Sequence, residues 1–123
     1  MSLTTLRDPE RETYVALRDG RVVGFVIVCM QGAFVGYIQS VCVAADLRGQ
    51  GIGSTLIGFA EERIFAITSN VFMCVSSFNT AARRLYVRLN YEVIGELRDY
   101  LVAGHSEILL RKTIGPLSSA PSG

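Results

Sequence analysis

The sequence predicts an α/β (α+β) domain built on one mixed sheet, and three observations carry that expectation. An Asp-Gly pair separates two apolar runs near the start of the chain. A glycine-rich loop, Arg48 to Gly53, joins a β-branched run to an amphipathic helical stretch. Two further strand-like runs follow a second helical stretch. With 123 residues, 50% of them apolar and 19% charged, the chain fits a single domain over residues 1–114, followed by a Ser/Pro/Gly-rich tail over 115–123.

Each element can be justified in order. Thr13 to Leu17 and Val22 to Met30 flank Arg18-Asp19-Gly20-Arg21, and Asp-Gly between apolar runs is a hairpin signal because both positions tolerate positive φ. Tyr37 to Val43 carries β-branched and aromatic residues on both faces, which predicts a central strand. From Gly51 onward Ile52, Leu56, Phe59, Ala60, Ile64 and Ile67 recur at helical spacing, with Glu61, Glu62 and Arg63 on the other face. Val71 to Val75 reads as a short buried strand. Ser76 to Thr80 supplies cap residues for a second helix, whose apolar stripe is Ala82, Leu85, Tyr86 and Leu89 and which Asn90 ends. Tyr91 to Leu97 and Glu107 to Arg111 read as the last two strands, with a turn at Val102 to His105. The order is three strands, helix, strand, helix, two strands, and the central strand–helix–strand unit should be parallel.

Composition removes several classes of function. Twelve basic and eleven acidic side chains leave a formal charge of +1 with no basic run to track a phosphate backbone, so no nucleic-acid partner is expected. The longest apolar stretch is far shorter than the ~20 residues of a membrane helix, and Met1 to Arg11 has no apolar signal core. No membrane partner and a cytoplasmic location are therefore expected. Cys29, Cys42 and Cys74 are odd in number and separated, and they read as reduced core thiols. With His105 the only histidine, no metal site is expected.

The chemistry lies in Arg48-Gly49-Gln50-Gly51-Ile52-Gly53. Glycines allow tight, positive-φ backbone close to a ligand, and the following helix offers unpaired N–H groups with a partial positive charge. A pyrophosphate fits there, with Arg48 as an added cation. A Walker loop would need a lysine before Ser54-Thr55. A dinucleotide fingerprint would need a third glycine where Ser54 or Leu56 stands.

After a central strand, Arg48, Gly51 and Gly53 give the segment the Arg/Gln-x-x-Gly-x-Gly/Ala pattern, so the chain resembles the GNAT superfamily of N-acetyltransferases. The resemblance runs through Asn79, Tyr86 and Leu89-Asn90-Tyr91-Glu92 and covers about residues 12 to 112. Asp99-Tyr100-Leu101 and His105-Ser106-Glu107 resemble the closing hairpin of its RimI-like branch. It implies acetyl-CoA as acyl donor and an amine acceptor, either a small amine or a peptide. It implies that Val41, Cys42 and Val43 present backbone groups to the pantetheine arm, that Gly49 to Ser54 wrap the pyrophosphate and that Asn79 contacts the cofactor as well as capping its helix. It gives Tyr86 the task of protonating the departing thiolate, although a core aromatic would occupy the same helical spacing.

Two departures from the pattern stand out. Where relatives of the RimI type carry a general base five residues before Asn79, this chain has Cys74, a poor base near neutral pH. Tyr37 then becomes the candidate to hold a water that accepts the amine proton, with packing as its other reading. Glu107 and His105 lie near the closing hairpin, where they could contact an acceptor, with an exposed turn residue as the favoured reading of His105. The superfamily's usual first strand and two helices also have no counterpart, since only about ten residues precede the first predicted strand. Either a second copy of the chain in a homodimer supplies that wall, or the acceptor lies in an open groove, or acceptor chemistry is lost and a non-catalytic acyl-CoA binding module remains.

Overall fold

A computed structural model describes residues 1–7 and 10–115 of the chain. The expected tail therefore lies outside the described residues apart from Gly115. The strands are β1 (Ser2–Arg7), β2 (Glu12–Arg18), β3 (Arg21–Cys29), β4 (Tyr37–Val43), β5 (Asn70–Ser76), β6 (Glu92–Arg98) and β7 (Ser106–Thr113). The helices are α1 (Ile52–Phe65) and α2 (Thr80–Arg88). One sheet of seven strands in the order β1-β2-β3-β4-β5-β7-β6 holds them all.

The β2–β3 hairpin turns at Asp19 and Gly20 with φ of 52° and 77°, the double positive φ that the Asp-Gly pair predicts. β4 takes the central place its composition predicts, and it pairs with β5 in parallel. One strand departs from expectation. The sheet does not open at Thr13: β1 pairs antiparallel with β2 from Ser2↔Leu17 to Arg7↔Glu12, so the first strand expected to be lacking is present. Its sequence, Ser-Leu-Thr-Thr-Leu-Arg, has the threonines of a strand and few apolar residues, because an edge strand has little to bury. Four residues separate β1 from β2 in the sequence.

The core lies on one face of the sheet. Val26, Val28, Ile38, Val71, Met73, Ile108 and Leu110 are buried against Ile52, Leu56, Ile57, Ala60 and Ile64 of α1. Ala82, Leu85, Tyr86 and Leu89 of α2 pack on the edge of the same cluster. The bidentate ion pair of Arg63 with Glu12, both contacts 2.8 Å, ties α1 to β2. Tyr91 and Lys112 both hold Glu61 of α1, at 2.7 and 3.0 Å. Gly24 makes the close approach possible, since a Cβ there would lie 2.7 Å from the Cys42 carbonyl oxygen and 3.0 Å from Leu56.

Alternation along the strands places Phe25, Ile27, Cys29, Tyr37, Phe72, Cys74 and Leu109 on the other face. Among the described residues no helix covers it. The cysteines are accordingly not core thiols: Cys42 is exposed and Cys29 and Cys74 are half-buried, all three free. Their apolar neighbours in sequence belong to the opposite face, which sequence runs alone do not separate.

Candidate functional site

β4 and β5 begin as neighbours and then part. Tyr37 pairs with Phe72 and Ile38 with Met73, and pairing stops there, while β4 continues beside β3 as far as Val43↔Gly24. The local cause is visible in the register. Val28 faces Ile38 but Ile27 faces Ser40, so Gln39 is an extra residue, and such a bulge bends its strand. The result is a slot between the last residues of β4 and of β5.

The walls of the slot follow from the pleat. The Cys42 carbonyl points toward β3, against Gly24, so the main-chain groups of Val41 and Val43 point the other way, into the slot. Arg48 stands at its mouth, exposed, with Nε donating to the Val43 carbonyl at 3.4 Å. The chain turns into α1 through Gly49 and Gly51, with φ of 80° and 84°. Neither would meet an atom within 4 Å if it carried a Cβ. Their requirement is conformational, and it leaves the loop surface clear for a ligand.

Gly51 caps α1 without any side chain, so the amides of Ile52, Gly53 and Ser54 at its first turn lack a side-chain acceptor and together make a seat for an anion. Ile52 is itself buried and offers only its backbone. Gln50 is exposed, and Gly53 and Ser54 are half-buried. The bidentate pair of Arg21 with Asp46, at 2.9 and 2.6 Å, pins the 3-10 turn ahead of the loop to the β2–β3 hairpin.

Asn79 lies at the same end of the sheet, just past β5. It caps α2, its Oδ1 accepting from the Ala82 amide at 3.1 Å. Two turns further along α2, Tyr86 faces the core side, its ring edge-on to Tyr91 at 6.2 Å between centroids. Burial raises its pKa above the ordinary phenol value, so it holds its proton through the neutral range. Tyr37 lies at the closed end of the slot on the uncovered face. Burial, followed by the neighbouring Cys74 thiol, pushes its pKa well up.

Glu107 completes the site on the uncovered face. The residue is buried, 8% exposed, and its Oε2 accepts from the Ser76 hydroxyl at 2.6 Å. Sequence placed Glu107 near the hairpin. It did not show that Ser76↔Glu107 register brings the carboxylate to the β5 edge of the slot, and alternation on β5 (Phe72, Cys74, Ser76) was the available signal. His105 is exposed beside the turn, its ring edge-on to Phe78 at 5.0 Å. The slot thus joins both faces, with Tyr86 on one, Tyr37, Cys74 and Glu107 on the other, and an anion seat at its mouth. Among the described residues no group of three or more His, Cys, Asp or Glu side chains could hold a metal ion, and no helix is long and apolar enough to cross a membrane.

The chain is similar to known proteins in both sequence and fold. It is 37% identical to an uncharacterised N-acetyltransferase of Methanocaldococcus jannaschii over 80% of this chain and 64% of that one. It is 33% identical to the aminoalkylphosphonate N-acetyltransferase of Salmonella typhimurium over 71% of this chain and 60% of that one. The chain thus spans under two thirds of the length of both relatives. Among solved structures, one assigned as a streptothricin acetyltransferase from Bacillus anthracis, in complex with acetyl coenzyme A, superposes with a TM-score of 0.79 at 18% identity, over 89% of this chain and 65% of that one. A model of the acetyltransferase (GNAT) family matches residues 2–91. With the glycine loop and the capped second helix in the places that its sequence pattern implies, the chain belongs to the GNAT acetyltransferase family.

Proposed function

We propose that the chain is an N-acetyltransferase that moves an acetyl group from acetyl-CoA to a primary amine by direct attack within a ternary complex. The observation that carries this reading is the slot between β4 and β5, which runs from the glycine loop to Tyr37 and opens on both faces of the sheet. The residues fit the cofactor. Arg48 and the backbone from Gly49 to Ser54 would hold the pyrophosphate, Val41 and Val43 would pair with the pantetheine amides as an added strand does, and Asn79 would lie against it at the start of α2; Cys42, expected to share that pairing, turns its main-chain groups to β3 instead. The cofactor supplies an activated acyl group.

The side chains then divide the work. Tyr86, kept protonated by burial, gives its proton to the departing sulfur. Tyr37, whose pKa is raised, is a hydrogen-bond donor rather than a base at neutral pH, and its hydroxyl suits the holding of a water or of the acyl oxygen. The acceptor approaches the uncovered face. The amine-bearing substrates in the names of relatives, such as an aminoalkylphosphonate, belong to the class to be tried first, alongside peptide amino termini. A second copy of the chain, closing over this face in a homodimer, is the partner we propose, and sedimentation at increasing concentration tests it: a monomer throughout would rule it out.

Two measurements decide the main reading. Acetyl-CoA at ~100 times its dissociation constant should add ~2.7 kcal/mol to the stability of the purified chain, and Gly51→Val should abolish the shift. Thiol release should then depend on an added amine. The second reading, a non-catalytic acyl-CoA binding module, is favoured by one feature: the closed end of the slot presents Cys74 beside Tyr37 where a stronger base would be useful. It requires cofactor binding without amine-dependent thiol release.

A further inference from the structure

We infer that Glu107 is the group that receives the acceptor: its carboxylate binds the protonated amine and takes the first proton from it. The inference rests on the acyltransferase reading above and assigns the acceptor's charge and the base. Glu107 is 8% exposed as a residue, and a carboxylate drawn out of water to that extent is costly unless it is paired. Glu107 has one partner, the Ser76 hydroxyl at 2.6 Å on Oε2, and no Lys or Arg lies within salt-bridge distance among the described residues. The neighbouring cations are engaged elsewhere, Arg111 with Glu92 at 2.7 Å and Lys112 with Glu61 at 3.0 Å. The second oxygen, Oε1, is not sealed in, because among the described residues no fully buried side-chain oxygen lacks a partner. One oxygen is thus fixed by a neighbour and the other remains open to solvent on the uncovered face.

The register gives this oxygen its address. Ser76 follows Cys74 on the same face of β5, along the stretch that has parted from β4, and Glu107 stands directly across from Ser76 on β7. An alkylammonium bound at Oε1 sits beside the slot, on the face opposite Tyr86. It meets a carboxylate in a partly desolvated setting, where such a pair is stronger than in water. The Phe78 and His105 rings form the adjoining rim, since Ser77 and Ser106, one residue from each, are bonded to one another through backbone and side chain at 2.8 and 3.2 Å.

The proton balance closes. The ammonium gives one proton to Glu107, which passes it to solvent, and the freed nitrogen lone pair attacks the thioester carbonyl carbon. The new C–N bond forms and the C–S bond breaks. Tyr86 gives the sulfur its proton and is reprotonated at the expense of the second amine proton. The products are an amide, a free thiol and one proton in solution.

The test compares two kinds of acceptor in the whole chain: an alkylamine protonated at neutral pH, taken as the best of an aminoalkylphosphonate, spermidine and a peptide with a free amino terminus, and methoxyamine, which is already neutral. Glu107→Gln should lower kcat/KM for the alkylamine by ~10²-fold or more while leaving methoxyamine transfer and the acetyl-CoA dissociation constant within about threefold. Equal loss on both acceptors, or on neither, overturns the assignment. Should the amide variant fail to fold, the wild-type chain serves: a quaternary alkylammonium should compete with the alkylamine and not with acetyl-CoA, and absence of that competition is equally fatal. A wild-type chain that binds acetyl-CoA yet transfers to neither acceptor brings down the acyltransferase reading itself, and this assignment with it.

Discussion

Tyr86 and Tyr91 sit 6.2 Å apart on the same side of the sheet, and burial acts on both. For Tyr86 the expected outcome of Tyr86→Phe is a fall in kcat of ~10²-fold with little change in the acetyl-CoA dissociation constant, read from steady-state kinetics and direct cofactor titration. An unchanged kcat would return Tyr86 to the role of a packing aromatic. Tyr91 makes a different prediction. Burial, and then its hydrogen bond to Glu61, raises its folded-state pKa far above the unfolded value of 10.0. A raised value means that the folded state favours the neutral phenol. The stability it lends is therefore intact below pH 10.0 and is lost as pH climbs from there, by at most about 1.4 kcal/mol per pH unit. Denaturant melts across the alkaline range should show a shallower loss in Tyr91→Phe than in the wild-type chain.

At the scale of elements, α2 depends on its cap more than α1 does. It is nine residues long with none fully buried, so Asn79→Ala should cost about 1 kcal/mol in chemical denaturation and raise the acetyl-CoA dissociation constant as the start of α2 frays. The opposite danger threatens α1, which needs proximity. Gly24→Ala inserts a methyl group against Cys42 and Leu56 and should destabilise by roughly 1–3 kcal/mol. Much of this was legible in advance. Tyr37 to Val43 named the central strand to the residue from its β-branched and aromatic content, although only one of its faces is covered by a helix, and the Arg48 to Gly53 loop named the anion seat because three glycines and an uncapped helix start serve few other ends. β1 escaped because an edge strand rich in threonine carries no periodic apolar signal. The burial of Glu107 escaped for another reason: it is set by a cross-strand partner 31 residues away, and a register is not written in either strand alone.

Across the whole molecule, one half of the sheet is β1 to β4 and the other is β5, β7 and β6. The two are joined by two residue pairs, Tyr37↔Phe72 and Ile38↔Met73, and by the Phe72 amide bonded to the Gly36 carbonyl at 2.9 Å. Gly36, at φ 87°, has no room for a side chain there, since a Cβ would sit 2.6 Å from Ile64. α1 straps the halves together from one face, and on the other, among the described residues, no helix does so, only side chains such as the Phe34 ring against Phe72 at 4.8 Å between centroids. Mechanically this is a book with a two-page spine. A ligand lying between the covers along Val41 to Val43 would act as a clasp, so stiffness across the sheet becomes a property of the liganded chain rather than of the polypeptide. Hydrogen exchange should then slow on both sides of the gap when acetyl-CoA is added, at Val41 and Val43 and also at β5 amides that never touch the ligand. Protection confined to the glycine loop would mean that the spine is rigid by itself.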